Sequence, residues 1–269
     1  VTKQKIHFIG GGQMAEAMIR ACLANGTMSA DQVSVTDINE GRLQLLNSKY
    51  GVDTGSTQEQ GLAAADLIVI AVRPQDDLAQ LGQTVQQSAS ADAAIVSIVA
   101  GVTIAQLGGY FGAERAIIRV IPNTLTDTGY GYSGVTLNAH AMREQVESFL
   151  LGFGKVQYLE ESYIDIFTGF GVAGPNYIYY FIESFTDAGV LAGLPREQAW
   201  QVALENMMGA VKMLQQTGLH PRQLLDINNS PGGVGMHGLY ELNNSDFAAG
   251  LQRSVLAAVK RTTELGVKK

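Results

Sequence analysis

Ile6-His7-Phe8-Ile9-Gly10-Gly11-Gly12-Gln13-Met14-Ala15-Glu16-Ala17-Met18 is the stretch that decides the fold. A short apolar run ends in glycines, and a helical pattern begins at once, which gives strand, tight turn, helix. Gly10, Gly12 and Ala15 fit the dinucleotide fingerprint G-x-G-x-x-A. Gly10 permits the sharp turn, Gly12 lets backbone approach a pyrophosphate, and Ala15 lets the helix pack close to the strand. The unpaired N–H groups at the helix start then face phosphate, helped by the helix dipole. The contact positions predicted here are Ile9, Gly10, Gly11, Gly12, Gln13 and Met14.

The flanking sequence supports that reading. An apolar strand over 32–36 ends in Asp37, roughly 20 to 25 positions after the glycines, where a ribose-binding carboxylate belongs. Asp37 can accept from both ribose hydroxyls and repels a 2′-phosphate, which favours NADH. Arg42 is the nearby cation that could accommodate the phosphate of NADPH, although it lies within the following helix. The continuously apolar run Leu67–Val72 reads as a parallel strand covered on both faces. Further strands fit 94–99 and 116–121, with helices over 14–25, 40–50, 58–64, 76–89 and 103–111. Two last strands fit 130–137 and 155–159, with a helix over 139–151 between them. This alternation predicts a doubly wound sheet. Its ligand belongs beyond the strand ends at Gly10–Gly12, Asp37, Arg73-Pro74-Gln75 and Pro122-Asn123-Thr124. Ala71, Val72, Arg73, Pro74 and Asn123 therefore join the predicted cofactor contacts. For Arg73 a surface salt bridge is the competing reading, and for Asn123 a turn residue.

After about residue 160 the β-branched runs give way to long helical patterns, over 176–192, 196–216, 221–227, 236–243 and 246–265. The chain thus divides into a dinucleotide-binding domain over 1–159 and an all-helical domain over 160–269. The helices carry surplus apolar residues, as in Tyr177-Ile178-Tyr179-Tyr180-Phe181-Ile182, which points to a homodimer through this half. A net charge of −7 argues against nucleic acid. The single cysteine, Cys22, excludes an internal disulfide and fits a cytoplasmic protein. No signal peptide or membrane span is visible. His7, His140, His220 and His237 form no metal-ligand spacing, so no metal site is expected. Arg253, Lys260, Arg261, Lys268 and Lys269 read as a solvated face and tail.

Several segments taken together resemble the pyrroline-5-carboxylate reductase family over nearly the whole chain. They are Phe8–Ala15, Ala71-Val72-Arg73-Pro74-Gln75, Ala100-Gly101-Val102-Thr103, Arg119-Val120-Ile121-Pro122-Asn123-Thr124, Asp187-Ala188-Gly189-Val190, Gly193-Leu194-Pro195-Arg196 and Ser230-Pro231-Gly232-Gly233. The resemblance implies a Rossmann domain followed by a helical dimerisation domain, with larger assemblies of dimers allowed. It implies reduction of 1-pyrroline-5-carboxylate to proline by NADH or NADPH. It also implies that the loop Ser230, Pro231, Gly232, Gly233, Val234 lies near the substrate carboxylate, with helices of a partner chain close by.

The chain departs from the family pattern at three places, the smallest being Asn123-Thr124-Leu125 in place of the usual Asn-Thr-Pro. The segment that usually reads Ser/Thr-Gly-Ser-Gly-Pro-Ala-Tyr is Gly171-Val172-Ala173-Gly174-Pro175-Asn176-Tyr177, without either hydroxyl. Val234-Gly235 replaces a pair of threonines. Each lost hydrogen bond to a charged group is worth about 1.5–3 kcal/mol. Asn176 or Tyr177 is the candidate substitute donor, with helix-start packing the alternative for Tyr177. A nest of backbone N–H groups at Gly232-Gly233 would survive these changes. No catalytic residue is assigned, because a protonated cyclic imine is already electrophilic and orientation is the main requirement. His237 could line the pocket or sit on a helix surface. Glu183 and Asp187 share a helix face as an acid–base pair or as a dimer-facing pair. Three readings compete with proline formation: a paralogue reducing another cyclic imine, a β-hydroxyacid-type dehydrogenase, and a catalytically silent NAD(P)-binding regulator. The absence of Lys from residues 170–185 counts against the dehydrogenase.

Overall fold

The computed structural model describes residues 4–266, so Lys268 and Lys269 lie outside the described residues. Contacts divide the chain into two compact units. One holds the residues up to Ala173 and those from Ala257 onward; the other is Gly174–Leu256.

The first unit is built on seven strands: β1 (Ile6–Ile9), β2 (Val33–Thr36), β3 (Leu67–Ile70), β4 (Ala94–Ser97), β5 (Ile117–Pro122), β6 (Tyr132–Leu137) and β7 (Lys155–Tyr158). They form one sheet in the order β2-β1-β3-β4-β5-β6-β7. Between them run α1 (Gln13–Ala24), α2 (Glu40–Tyr50), α3 (Gln58–Ala64), α4 (Leu78–Ser88), α5 (Ile104–Phe111) and α6 (Glu147–Leu151). Strand alternation splits the core in two. Phe8, Leu67 and Val69 join Met18, Ile19 and Cys22 of α1 and Leu46 of α2. Ile9, Ile68 and Ile70 join Leu62, Leu78, Val85 and Leu107 of the other helices. That is the doubly wound arrangement, with apolar layers on both faces of the sheet. Burial pushes the Cys22 thiol up to about 12, which leaves it unreactive at neutral pH.

The doubly wound sheet carries one antiparallel pairing: β6 runs antiparallel to β5, with Ile118 opposite Leu137 and Pro122 opposite Ser133. The connection over 123–131 has no room for the crossover helix that a parallel pairing requires. The helix predicted over 139–151 is reduced to α6, preceded by a single 3₁₀ turn over Arg143–Gln145. The break lies at Met142, which takes an extended conformation (φ −112°, ψ 144°) and gives its N–H to the Gln145 side chain, so no helix runs through it.

The segment after β7 stays with the sheet. α7 (Ile164–Phe167) buries Ile164 fully, and Phe167 covers Gly134, where a Cβ would lie 2.5 Å from the ring. Arg119 of β5 is buried and ion-paired to Glu161 (3.3 Å) and Asp165 (3.0 Å). A π-helical turn over Thr168–Val172 follows. The contact boundary therefore falls after Ala173, past the 159/160 division read from composition.

The second unit contains α8 (Gly174–Leu191), α9 (Arg196–Thr217), α10 (Pro221–Asn228), α11 (Val234–Asn243) and the start of α12 (Phe247–Gly266). α8 and α9 pack where Gly189 meets Ala199: a Cβ on the glycine would lie 2.9 Å from the Ala199 methyl. Phe181 stacks on Phe185 and meets Phe247 at 6.0 Å. No described helix is long and apolar enough to cross a membrane.

Candidate active site

In the order β2-β1-β3 the chain reverses its direction of winding, and the helices after β1 and β3 leave on opposite faces. A crevice opens there beyond the carboxyl ends of the strands. It is a cleft of about 790 Å³, lined by Ile9, Gly10 and Gly12 after β1, Thr36–Asn39 after β2, and Ala71–Arg73 after β3.

The glycine loop is shaped by its surroundings. Gly10 has φ +101°, and a Cβ there would lie 2.5 Å from the Ala71 carbonyl oxygen, so only glycine fits. A Cβ on Gly11 would meet Leu46 at 2.8 Å. At Gly12 a Cβ would meet nothing within 4 Å. That open side is what a pyrophosphate needs for close approach to backbone. Gly12 also caps α1 without any side-chain bond, which leaves the first-turn N–H groups to a ligand. The residues present thus fit a dinucleotide.

Asp37 is organised by backbone. Its Oδ2 accepts from Gly11 N at 2.6 Å and its Oδ1 from Asn39 N at 2.8 Å. Asn39 in turn caps α2 by accepting from Arg42 N. Arg42 lines the cleft, yet its side chain is tied down: Nε donates to the Gly11 carbonyl at 2.8 Å and Nη2 pairs with Glu16 at 2.7 Å. Gly11 is therefore held through both its N–H and its carbonyl. Burial works against the ionised Glu16 carboxylate, but hydrogen bonds from Arg42, Tyr50 and Lys49 outweigh it and bring its pKa down to about 2.

Arg73 lines the cleft and also makes the salt bridge that was its competing reading, to Asp76 at 2.9 Å. The Arg73 guanidinium holds the Asp76 carboxyl below its usual range. Asp77 lines the cleft too and caps α4 by accepting from Ala79 and Gln80. Asn123 is buried at the end of β5, where its Oδ1 accepts from the backbone N–H of Leu125 and Tyr132. That is the work of a turn residue. Neither Asn123 nor Gly11, Gln13, Met14 or Pro74 is among the residues lining the cleft.

Sequence reasoning missed Thr36, Ile38 and Asn39 after β2, and Gln58 with five residues from Asp76 to Thr84, in the lining. Ile38 is 99% exposed beside Asp37, an apolar platform at the ribose corner. A lone isoleucine after a strand carries no signal of that kind. The Asp76-Asp77 pair after Pro74 was the legible clue.

In the second unit, Ser230-Pro231-Gly232-Gly233 makes a tight turn. Gly232 takes φ +68°, and the Gly233 N–H donates to the Ser230 carbonyl at 3.0 Å. Gly233 is the N-cap of α11 without a side-chain bond. Val234 points outward, 94% exposed. A Cβ at Gly235 would lie 2.1 Å from Asn229 Oδ1, so the Asn229 carboxamide occupies the space a threonine would need. Asn176 is exposed and Tyr177 partly buried in the first turns of α8. Glu183 and Asp187 both face Arg196, at 3.8 and 2.7 Å, an ion-pair cluster more than an acid–base pair. His237 is exposed on α11. Among the described residues no group of His, Cys, Asp and Glu could hold a metal.

Residues 161–265 match the family described as pyrroline-5-carboxylate reductase dimerisation, and residues 5–101 the one described as NADP oxidoreductase coenzyme F420-dependent. The chain is 35% identical to the pyrroline-5-carboxylate reductase of Arabidopsis thaliana, over 97% of this chain and 95% of that protein. It is 32% identical to that of Escherichia coli (strain K12), over 98% of each. Among solved structures it is similar to Plasmodium falciparum pyrroline carboxylate reductase with NADP bound. That likeness has a TM-score of 0.88 at 27% identity and covers 98% of this chain and 99% of the other.

Proposed function

This chain belongs to the pyrroline-5-carboxylate reductase family, and from that premise we propose that it reduces 1-pyrroline-5-carboxylate to L-proline with NAD(P)H. The observation that carries the proposal is the glycine-walled cleft at the β1/β3 reversal, with Gly12 open and Asp37 anchored beside it. When bound, the dihydronicotinamide supplies the hydride. The loop Gly10–Gly12 and the start of α1 hold the phosphates. Asp37 accepts from the adenosine ribose, Ile38 backs the base, and Ala71, Val72 and Arg73 bound the far side. Gln13, Met14 and Pro74 support this arrangement as chain neighbours of those contacts, and Asn123 holds the turn after β5.

The loop Ser230–Val234 offers the substrate carboxylate the first N–H groups of α11, which carry the positive end of a 10-residue helix. Asn176 and Tyr177 are the polar groups at the start of α8 that compensate for the lost hydroxyls at 171 and 173. No side chain is needed as a strong acid, because the imine nitrogen arrives protonated and the chemistry asks for orientation. Asp37 puts a fixed negative charge at the ribose position, which favours NADH over a cofactor with an added phosphate.

The proposed assembly is a homodimer through the helical unit. In α8 only Pro175 and Thr186 are buried, in α9 only Ala199 and Ala203, and in α10 and α11 none. Tyr180, Leu191 and Ile227 are more than two-thirds exposed. Helices this apolar need a partner surface. The lone, buried thiol supports a cytoplasmic location.

One observation favours a second reading, reduction of a different cyclic imine: Val234 and Gly235 leave the start of α11 without the two hydroxyls usual in the family. The test is absorbance at 340 nm with NADH or NADPH and pyrroline-5-carboxylate, alongside six-membered and uncharged cyclic imines. Fast oxidation with pyrroline-5-carboxylate supports the first reading. Oxidation only with another imine moves the chain to the second. Tight cofactor binding with no oxidation overturns both and leaves a silent regulator.

A further inference from the structure

Glu16 poses a question that the dinucleotide fingerprint does not answer. It lies one turn into α1, beneath the glycine loop, with its side chain only 8% exposed. Four side chains converge on it: Arg42 at 2.7 Å, Tyr50 at 2.8 Å, Lys49 at 3.2 Å and Arg20 at 3.6 Å. Arg20 is itself pinned, by a two-bond pair to Asp127 at 2.7 and 2.6 Å. A buried carboxylate with this many partners is costly to build and strongly organising once built. Its effect is felt at the cleft through Arg42. That guanidinium also donates to the Gly11 carbonyl at 2.8 Å and, more weakly, to the Gly12 carbonyl at 3.5 Å.

Gly11 links this network to the ribose corner, since its N–H donates to Asp37 while its carbonyl accepts from Arg42. Asp37 and Arg42 are thus joined through one residue, on its two flanking peptides. They are the two residue types that decide between a free 2′-hydroxyl and a 2′-phosphate. Arg42 lines the cleft and has the charge to bind a phosphate, but its donors are turned inward to Glu16 and the loop carbonyls. The other cleft guanidinium, Arg73, is held by Asp76 at the end of β3.

We infer that Glu16 is a positioning residue for cofactor choice: by holding Arg42 against the glycine loop it withholds that guanidinium from a 2′-phosphate and leaves Asp37 to select the unphosphorylated ribose. The inference rests on the dinucleotide reading of the cleft. It adds that cofactor preference is set one layer beneath the contact residues. The low pKa of Glu16 accords with this, since the clamp keeps its charge at neutral pH.

The experiment is calorimetric binding of adenosine 2′,5′-bisphosphate and of 5′-AMP, neither of which carries a nicotinamide, to the wild type, Glu16→Gln, Arg42→Ala and the double variant. In Glu16→Gln, Arg42 loses its ion pair, and affinity for the bisphosphate relative to 5′-AMP rises at least tenfold. The double variant loses that gain, which separates release of Arg42 from general loosening of the loop. Arg42→Ala alone leaves the affinity ratio within twofold of wild type, and this arm holds even if Glu16→Gln does not fold. A tenfold fall in the ratio on Arg42→Ala would show Arg42 already engaged with the phosphate and overturn the inference. So would an unchanged ratio in folded Glu16→Gln. If wild type binds neither nucleotide, the cofactor reading of the cleft fails, and the inference with it. Binding of 5′-AMP with unmoved ratios would sink the inference alone.

Discussion

His7 makes the stability of the sheet unit depend on pH, and its magnitude can be worked out. The ring lies on β1 at 0% exposure, with Nδ1 2.8 Å from Ser34 Oγ and Nε2 3.2 Å from Thr36 Oγ1. It is packed so closely on α3 that a Cβ at Gly61 would lie 2.3 Å from Nδ1. Burial disfavours the imidazolium, and the opposing pull of Asp53 is weaker, so the pKa falls from 6.5 to about 4. The unfolded chain takes up the proton near 6.5, whereas the folded chain resists it until about 4. The stabilising effect is therefore complete above 6.5 and is lost as pH falls from 6.5 to 4. Between pH 7.5 and 5 the loss comes to about 2 kcal/mol. Glu16, whose pKa is also depressed, contributes only about 0.2 kcal/mol over that range, because its window opens below the ordinary glutamate value. The assay is urea unfolding at pH 7.5, 6 and 5, at one protein concentration so that subunit association enters equally. His7→Phe keeps a planar ring but cannot titrate. It should be about 1–2 kcal/mol less stable at pH 7.5, from the lost Ser34 and Thr36 bonds, and nearly flat to pH 5. A wild-type loss below about 0.5 kcal/mol over that range, or an equal slope in the variant, would refute the reasoning.

Other expectations follow from the cleft and the loop. Gly10→Ala meets the Ala71 carbonyl at 2.5 Å and a φ of +101°, so it should lower Tm by several degrees. Gly12→Val adds a side chain in open space and should leave Tm nearly unchanged while abolishing nucleotide binding measured by calorimetry. Asp37→Ser removes the charged acceptor, and NAD+ affinity should fall about tenfold to a hundredfold, with a smaller loss for NADP+; a larger loss for NADP+ would contradict the role given to Asp37. Val234→Thr should lower KM for pyrroline-5-carboxylate by about tenfold without changing KM for an uncharged imine.

How much of this was legible in the chain differs by element. The glycine loop, the apolar strands and the helix stops were readable because their signals are local. Gly10 needs its unusual φ, Leu67–Ile70 is buried on both faces, and Gly51 and Gly218 end their helices in left-handed conformation. The acidic residue after β2 was readable for the same reason, as a fixed distance along one βαβ unit. Met142 shows the limit of local reading. The run Ala139-His140-Ala141-Met142 has helical composition, yet Met142 is extended and its N–H is taken by the Gln145 side chain, so the helix does not run through it. Asn123 shows it again, with a motif position that the structure engages in a turn.

The sequence by itself therefore determined the layered α/β unit, the helical half and the place of the nucleotide loop, because period, turn chemistry and glycine conformation act within a few residues. Only the tertiary structure decided the antiparallel β6, the division after Ala173, the Asn229 carboxamide in the space beside Gly235, and the clamp of Glu16 on Arg42 beneath the loop. Those depend on which residues far apart in the chain meet. Strand order and packing fix such meetings, and no period in the sequence records them.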